Sequence, residues 1–257
     1  MRFRNCCIVV LTAAGMLIAA ENPFVGTWKL NLSNSEFTGT TVTYLQTGPG
    51  EMQATAEGQS YKFKMDGKEY PALFGSVATW KQLDGSTWEA TYKTNRTVTN
   101  TDTIRVSPDG KTMTVTSRGK KPSGESFEDN VTLERVSGGP GLAGKWKTTK
   151  VNISSPEVME IAPYQGDGIS FKIAAYNLIL NAQFDGKSYL ATGPTVPAGM
   201  LMSLKKTGAR SFEMTGKMSG QTVYMESYSI SVDGKSLTVV GMPPGTSEKV
   251  KAVYDRQ

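Results

Sequence analysis

The sequence contains an internal duplication, and this feature limits the possible folds more than any other. Four segments of the first half return in the same order in the second half, 118 residues apart at the start and 124 residues apart at the end. The matched pairs are residues 26–29 with 144–147, 63–70 with 182–189, 80–81 with 204–205, and 107–115 with 231–239. Most of the growth in spacing falls in residues 193–197, which the first copy lacks. This repeat predicts that one domain-sized unit occurs twice.

A short glycine-rich segment separates the two copies. Residues 137–141 read Ser-Gly-Gly-Pro-Gly, a composition typical of a linker. We therefore predict a first unit at residues 21–136, a linker at 137–141 and a second unit at 142–257. The alternative is a single undivided barrel or sandwich built from both copies, which the linker disfavours.

Within each unit, apolar and polar side chains alternate along the chain. Trp88, Ala90 and Tyr92 have polar neighbours, and Phe212 and Met214 repeat the pattern in the second copy. This period of two is typical of antiparallel strands with one buried face. Tight hairpins are indicated by Asp-Gly pairs at residues 66–67, 84–85, 109–110, 185–186 and 233–234. The sequence therefore predicts an all-β protein made of two tandem antiparallel up-and-down (meander) β-barrels.

The N-terminus has the layout of a secretory signal peptide. Arg2 and Arg4 precede an apolar run over residues 6–20, and polar sequence begins at Glu21. The run is too short for a comfortable membrane span, so we predict a signal peptide at residues 1–20 that is cleaved after Ala20. An uncleaved N-terminal anchor is the alternative. After cleavage we expect an extracytoplasmic protein, periplasmic or secreted, with no membrane span.

Removal of the signal peptide changes the composition of the mature protein. Cys6 and Cys7 are the only cysteines, so their loss leaves no thiol and no disulfide, and stability must come from the core and the sheets. Loss of Arg2 and Arg4 lowers the formal net charge from +5 to +3. The remaining charges are scattered along the strands and form no basic stripe for a phosphate backbone, so we expect no nucleic-acid partner.

The chain contains no histidine. The usual general base, the histidine-dependent nucleophiles and the commonest metal ligand are therefore missing. Two Ser-x-x-Lys strings, Ser117/Lys120 and Ser203/Lys206, would lie on strands, where positions three apart point to opposite faces. We predict a non-enzymatic protein without cofactor or metal. The one enzyme alternative is a carboxylate pair about 5–10 Å apart in one cavity, as in glycoside hydrolysis.

The start of each copy resembles the first strand of calycin-type barrels, the lipocalins and fatty-acid-binding proteins. Both copies carry the Gly-x-Trp pattern of that strand, at residues 26–28 and 144–146. Residues 66–70 and 107–115, together with a final strand at 253–256, resemble small exported lipocalin-like domains of bacteria. The resemblance implies that each tryptophan closes one end of a barrel and that the interior can hold a small ligand.

The resemblance does not extend to the fatty-acid-binding features. Residues 31–39 are too few and too polar for a helical lid, and Ala252 stands where an arginine would precede Tyr254. A fatty-acid specificity is therefore not predicted. In lipocalins a basic residue of the last strand packs over the floor tryptophan, and the resemblance assigns Arg135 to Trp28, and Arg256 or Lys251 to Trp146.

The period of two also selects the side chains that should line each interior. A barrel of about eight strands is either filled by its side chains or holds one small ligand, so large inward aromatics fit a packed core or a pocket. Met200 and Met202, flexible thioethers beside the extra loop, make the second unit the better pocket. The predicted ligand-binding residues are Tyr61, Phe63, Trp80, Trp88, Tyr92, Asp102, Phe184, Met202, Phe212, Met214, Glu226 and Tyr228.

Two acids in this set occupy matching positions. Asp102 corresponds to Glu226, and each has the strand parity of apolar neighbours, so both should face inward. A buried carboxylate needs a donor partner or a wet cavity. These acids are interpreted either as polar anchors for a ligand, or as groups at the open rim or paired with a lysine or arginine across the strands.

Two functional hypotheses follow from this pattern. The first is an exported non-enzymatic binding protein that holds a small apolar or amphipathic ligand in one or both barrels. The second is a filled-barrel interaction module that binds another envelope protein or a polysaccharide through loops such as residues 118–126 and 193–197. The interior volume of each unit distinguishes a pocket from a packed core.

Overall fold

The protein is predominantly β-strand. The computed structural model describes residues 22–257, so the predicted signal peptide and both cysteines lie outside the described residues. Three short 3₁₀ helices interrupt the strands, at Leu32–Asn34, Leu73–Gly75 and Ala174–Tyr176. The all-β prediction is confirmed.

Twenty strands follow one another along residues 22–257. The first ten are β1 (Gly26–Leu30), β2 (Thr41–Gly48), β3 (Glu51–Ala56), β4 (Gln59–Lys64), β5 (Asp66–Pro71), β6 (Val77–Gln82), β7 (Thr87–Thr94), β8 (Thr97–Val106), β9 (Thr112–Lys120) and β10 (Ser126–Ser137). The second ten are β11 (Gly144–Asn152), β12 (Val158–Tyr164), β13 (Gly168–Ile173), β14 (Leu178–Ala182), β15 (Tyr189–Leu190), β16 (Leu201–Gly208), β17 (Ser211–Met218), β18 (Gln221–Ile230), β19 (Ser236–Gly241) and β20 (Val250–Arg256).

The strands form two antiparallel sheets of ten strands each. The first barrel has the order β4-β3-β2-β11-β10-β9-β8-β7-β6-β5, and the second barrel has the order β14-β13-β12-β1-β20-β19-β18-β17-β16-β15. In the second barrel, Ile179 of the edge strand β14 forms an isolated antiparallel bridge with Thr192, two residues after the edge strand β15. In the first barrel the edge strands β4 and β5 follow each other directly in the chain. Both sheets are nearly closed up-and-down barrels, as predicted.

The barrels do not have the same limits as the sequence repeats. β1 belongs to the second barrel, where it lies between β12 and β20, and β11 belongs to the first barrel, between β2 and β10. Residues 21–136 and 142–257 therefore each give one strand to the other's barrel. The glycine-rich residues 137–141 join two neighbouring strands of one barrel. The chain crosses between the barrels through residues 31–40 and 153–157.

A tryptophan closes the same end of each barrel, which we call the floor. Trp28 on β1 and Trp146 on β11 are fully buried. The Trp28 Nε1–H donates to the carbonyl oxygen of Phe24 (2.9 Å), and the Trp146 Nε1–H donates to that of Leu142 (3.0 Å). Each indole is thus buried with its one polar group satisfied, which avoids the cost of an unpaired donor.

The basic residues over these tryptophans are the reverse of those expected. The guanidinium carbon of Arg256 lies 4.1 Å from the ring centre of Trp28, and that of Arg135 lies 3.9 Å from the ring centre of Trp146. The assignment of Arg135 to Trp28 was wrong because each tryptophan strand pairs with the last strand of the other repeat. The cation–π contact itself is present in both barrels.

The open ends of the two barrels, which we call the mouths, face each other. Both β1 and β11 run from the floor to the mouth, and the chain then crosses to the other barrel. Hairpins of the two barrels meet there: Asn95 Nδ2 donates to the carbonyl oxygen of Val196 (2.6 Å), and Gln59 Nε2 donates to that of Val223 (3.4 Å). Open space at the mouth of one barrel therefore lies next to the other barrel.

Candidate functional site between the barrel mouths

The floor half of each barrel is a packed aromatic core. In the first barrel Phe63 stacks on Trp80 with ring centres 4.2 Å apart, and Trp88 is buried beside them. In the second barrel Phe212 contacts Phe184 edge to face, with ring centres 5.2 Å apart. These five predicted site residues face inward as the period of two predicts, and the structure places them in the core below the cavities.

The mouth half of the second barrel is hollow. It contains a cavity of about 300 Å³, which is at the lower end of the volumes typical of small-ligand sites. Four predicted residues line this cavity, namely Met202, Met214, Glu226 and Tyr228. Since the walls also include Phe171 and Tyr254, the cavity is mostly apolar with a few polar groups.

Glu226 is the polar centre of the second-barrel cavity. It lies on β18 between Tyr224 and Tyr228, and the period of two turns all three side chains inward. Both tyrosine hydroxyls donate to Glu226 Oε2, that of Tyr224 at 2.6 Å. Burial raises the pKa of the Glu226 carboxyl, and the two hydroxyl donors oppose this shift.

A second acid, Glu157, lines the same cavity. Its carboxyl oxygen Oε1 accepts a hydrogen bond from the Tyr254 hydroxyl at 2.8 Å, and burial raises its pKa. Sequence reasoning missed this residue because it lies in the crossing segment 153–157, outside any strand, where side-chain parity carries no information. Only the crossing of the chain from β11 to β12 brings it to the mouth.

The first barrel has a larger opening at its mouth, with a volume of about 520 Å³. The predicted residues Tyr61, Tyr92 and Asp102 line it, with their hydroxyl and carboxyl groups directed to one cluster. The Tyr61 and Tyr92 hydroxyl oxygens are 3.3 Å apart, and Asn100 Nδ2 donates to Asp102 Oδ1 at 2.7 Å. Burial raises the pKa of the Asp102 carboxyl, while hydrogen bonds from Ser117 and Asn100 lower it.

Two further residues complete the first-barrel cavity and were not predicted. Tyr44 on β2 is nearly buried, and burial raises the pKa of its hydroxyl well above its ordinary value. Glu57 lies in the hairpin between β3 and β4, and burial together with the nearby Glu248 raises its pKa. The alternation of Val42, Tyr44 and Ala54 could have identified Tyr44, but a hairpin residue such as Glu57 has no such signal.

A third cavity, of about 480 Å³, lies between the two mouths and has walls from both barrels. It shares Leu178 and Met202 with the second-barrel cavity, and Asn100 and Pro197 with the first-barrel cavity. The cavity between the mouths is therefore adjacent to both barrel cavities. Met200 and Met202, the thioethers beside the extra loop for which the second unit was predicted to be the better pocket, both line this cavity.

The extra loop at residues 193–197 forms part of the wall between the cavities. Thr195 and Pro197 line both the first-barrel cavity and the cavity between the mouths. Asn95 of the first barrel holds the loop by donating to the carbonyl oxygens of Pro194 (3.4 Å) and Val196 (2.6 Å). The insertion in the second repeat thus covers the mouth of the first barrel.

A buried lysine also reaches the cavity between the mouths. The side chain of Lys121 is 3% exposed, and its ammonium donates to the hydroxyl and the carbonyl oxygens of Ser155 and contacts Glu125 at 3.4 Å. These partners belong to the β9–β10 hairpin and to the crossing segment. Lys121 therefore fixes the second crossing of the chain against the first barrel.

The acids singled out from the sequence lie in different barrels. Asp102 and Glu226 do not share a cavity, and within residues 22–257 neither forms an ion pair with lysine or arginine. Both face a cavity, and both are held by neutral donors. Ser203 and Lys206 do not act together, because the Lys206 ammonium forms an ion pair with Asp167 outside the barrel, at 2.9 Å.

Comparisons of the chain with models of known protein families, with curated proteins and with solved structures find no match. Over residues 22–257, no helix has the length and hydropathy needed to cross a membrane. The same part of the chain has no group of three or more cysteine and acidic side chains placed to hold a metal ion.

Proposed function

We propose that this protein is an exported, non-enzymatic, lipocalin-like binding protein that holds a small apolar or amphipathic ligand at the barrel mouths. The observation that carries the proposal is the row of three cavities, two inside the barrels and one between them, whose walls share residues such as Leu178 and Met202. Ligand sites are typically concave and apolar, and they often lie at domain interfaces.

The division of each barrel into a packed floor and a hollow mouth supports this function. The floor residues, such as Trp28 and Phe63, are fully buried and give the barrels rigid ends. The mouth residues leave space and present a few polar groups, including Asp102 and Glu226, that can orient a ligand. Hollow mouths favour this proposal over a filled-barrel interaction module.

The facing mouths also explain how such a ligand would be shielded from water. An amphipathic molecule in the second barrel can extend past Leu178 and Met202 into the space between the barrels. Burial of its apolar part there would contribute about 25 cal/mol for each Å² removed from water.

Two measurements on the purified protein test the proposal. Native mass spectrometry of protein purified from its host is expected to show a bound small molecule. Titration with a panel of straight-chain alcohols, amines and fatty acids is expected to quench tryptophan fluorescence, because Trp80 contacts Tyr44 at the wall of the first-barrel cavity, with ring centres 5.9 Å apart. A clean unliganded mass together with no quenching by any panel member would overturn the proposal.

A pair of variants locates the ligand. Leu178→Trp places a large side chain where the second-barrel cavity meets the cavity between the mouths, and is expected to weaken binding of octanol at least about tenfold by filling that space. Leu190→Trp is the matched control, since Leu190 is 56% exposed on β15 and lines neither cavity. Equal calorimetric affinities of both variants and the unmodified protein would place the ligand elsewhere.

A further inference from the structure

The second-barrel cavity contains two acids without a cationic partner. Glu157 and Glu226 both line it, and among the residues that the structure describes no lysine or arginine does so. Burial raises the pKa of both carboxyl groups, and the nearby negative charge of Glu157 raises that of Glu226 further. Lys121 is near Glu157, but its ammonium is bonded to Ser155 and lies in the cavity between the mouths.

The tyrosines around these acids leave acceptor positions open. A carboxylate has about four lone-pair positions. Within residues 22–257 the Glu226 carboxylate accepts from the hydroxyls of Tyr224 and Tyr228, and the Glu157 carboxylate accepts from that of Tyr254. Both carboxyl groups line the cavity, so a donor in the cavity can reach their remaining positions. A hydrogen-bond donor with positive charge satisfies them and offsets the cost of burying the carboxylates.

The walls around the acids select an organic cation over a metal ion. Besides the acids, the cavity presents aromatic rings and thioethers, including Phe171, Met159 and Met214. A divalent metal ion would need several more oxygen ligands than these walls offer. An ammonium group on an apolar body gains from the aromatic faces through cation–π contacts and from the thioethers through packing.

We infer that the second-barrel cavity binds a small amine, with its ammonium group between Glu157 and Glu226 and its apolar body directed past Leu178 and Met202. This inference rests on the proposed function and specifies its ligand class. The volume of about 300 Å³ suits an amine with a single ring or a short branched chain.

Phenethylamine and phenethyl alcohol form a matched probe pair, since they share one body and differ in the ammonium group. Calorimetric titration of the purified protein near neutral pH is expected to give an affinity for the amine at least about tenfold higher than for the alcohol, as expected for a charge-assisted contact. Equal affinities would overturn the amine assignment and leave the proposed binding function standing, because the alcohol would still occupy the cavity.

Three variants assign the effect to the two acids. Glu226→Gln and Glu157→Gln keep the side-chain shape and remove the charge, so each is expected to lower the preference for phenethylamine over phenethyl alcohol about tenfold. Glu213→Gln, at an exposed position on the neighbouring strand β17, is expected to change neither affinity.

Each outcome of the variant series either supports or overturns the inference. An unchanged far-UV circular dichroism spectrum shows that a variant is folded, and the second acid provides an independent variant if the first one unfolds. An unchanged preference for the amine in both glutamine variants would overturn the assignment. Absence of binding for both probes in the unmodified protein would also overturn it, whereas the proposed function would then be decided by the wider panel and by bound molecules in the native mass spectrum.

Discussion

At the scale of single residues, buried carboxyl groups decide the chemistry of the mouths. Glu226 and Glu157 in the second barrel, and Asp102 and Glu57 in the first, all have pKa values raised by burial. Glu226, Glu157 and Asp102 accept hydrogen bonds from neutral donors, which reduce but do not remove the cost of ionising them. Burial of an ionisable carboxyl lowers the stability of the fold. Buried carboxyls with shifted pKa values are typical of binding and catalytic sites.

These shifts predict how stability depends on pH. A carboxyl whose pKa is raised in the fold favours the folded state when protonated, and this contribution is lost as the pH rises through the folded pKa. The urea midpoint is therefore expected to increase when the pH falls from about 7 to about 5. The titratable groups around Glu226 are Tyr224, Tyr228, Tyr254 and Glu157, and the tyrosines stay neutral in this range.

Glu226→Gln provides the control for this pH dependence. Removing the titrating group is expected to flatten the pH profile and to raise stability near pH 7, with about 1.4 kcal/mol for each unit by which the pKa was raised. Turn acids such as Asp109 and Asp233 have pKa values lowered by hydrogen bonds from Ser107 and Ser231, so their contribution is lost only at lower pH. A profile that is unchanged in the variant would contradict the role of Glu226.

At the scale of strands and hairpins, the same motif performs the same structural task in both repeats. In the first copy, Ser107 Oγ donates to Asp109 Oδ1 at 2.6 Å, and the Lys111 N–H donates to the same oxygen at 3.0 Å. The second copy repeats both bonds at Asp233, at 2.6 and 3.1 Å. The Asp-Gly-Lys motif is therefore explained by turn formation and has no part in the site.

Substitution of a floor tryptophan tests which barrel its strand belongs to. Trp28→Ala removes a fully buried indole from the second barrel and is expected to destabilise that barrel by about 3–5 kcal/mol. Hydrogen exchange should then increase in β19 and β20 and not in β9 and β10. Trp146→Ala is the matched variant and should show the opposite distribution. Faster exchange of β9 and β10 in Trp28→Ala would contradict the observed strand order.

At the scale of the whole molecule, the exchange of β1 and β11 ties the two barrels together. Lys121 binds Ser155 of the crossing segment 153–157, and Asn95 binds Val196 of the extra loop, so both contacts link the two barrels at their mouths. The barrels are joined by two chain crossings, and the short crossing at residues 153–157 limits how far the mouths can move apart.

Cross-linking tests this arrangement directly, because the chain has no cysteine after Cys7. Lys29 of β1 lies opposite Asp255 of β20, so the pair Lys29→Cys and Asp255→Cys is expected to form a disulfide within one molecule. The matched control is Lys29→Cys with Glu134→Cys, which would be neighbours if β1 closed the barrel of its own repeat, as Lys147 and Glu134 show. Intact mass and gel mobility distinguish the two results, and a disulfide in the control pair alone would contradict the exchange.

The sequence alone determined the two-barrel architecture and the inward set of side chains. Alternation at Trp88, Ala90, Phe212 and Met214 sets which face of each strand is buried, and the Asp-Gly turns make neighbouring strands pair, since both signals are local. The inward direction of Asp102 and Glu226 followed from the same parity.

Only the tertiary structure decided how the barrels are closed and where the site lies. β1 and β11 carry the same Gly-x-Trp pattern, and ladder hydrogen bonds are made by the backbone, so the local sequence fits either barrel. The position of Glu157, the facing mouths and the space between them all depend on the paths of the two crossing segments. Contacts between residues far apart in the chain set those paths. A local sequence pattern contains no information about such contacts.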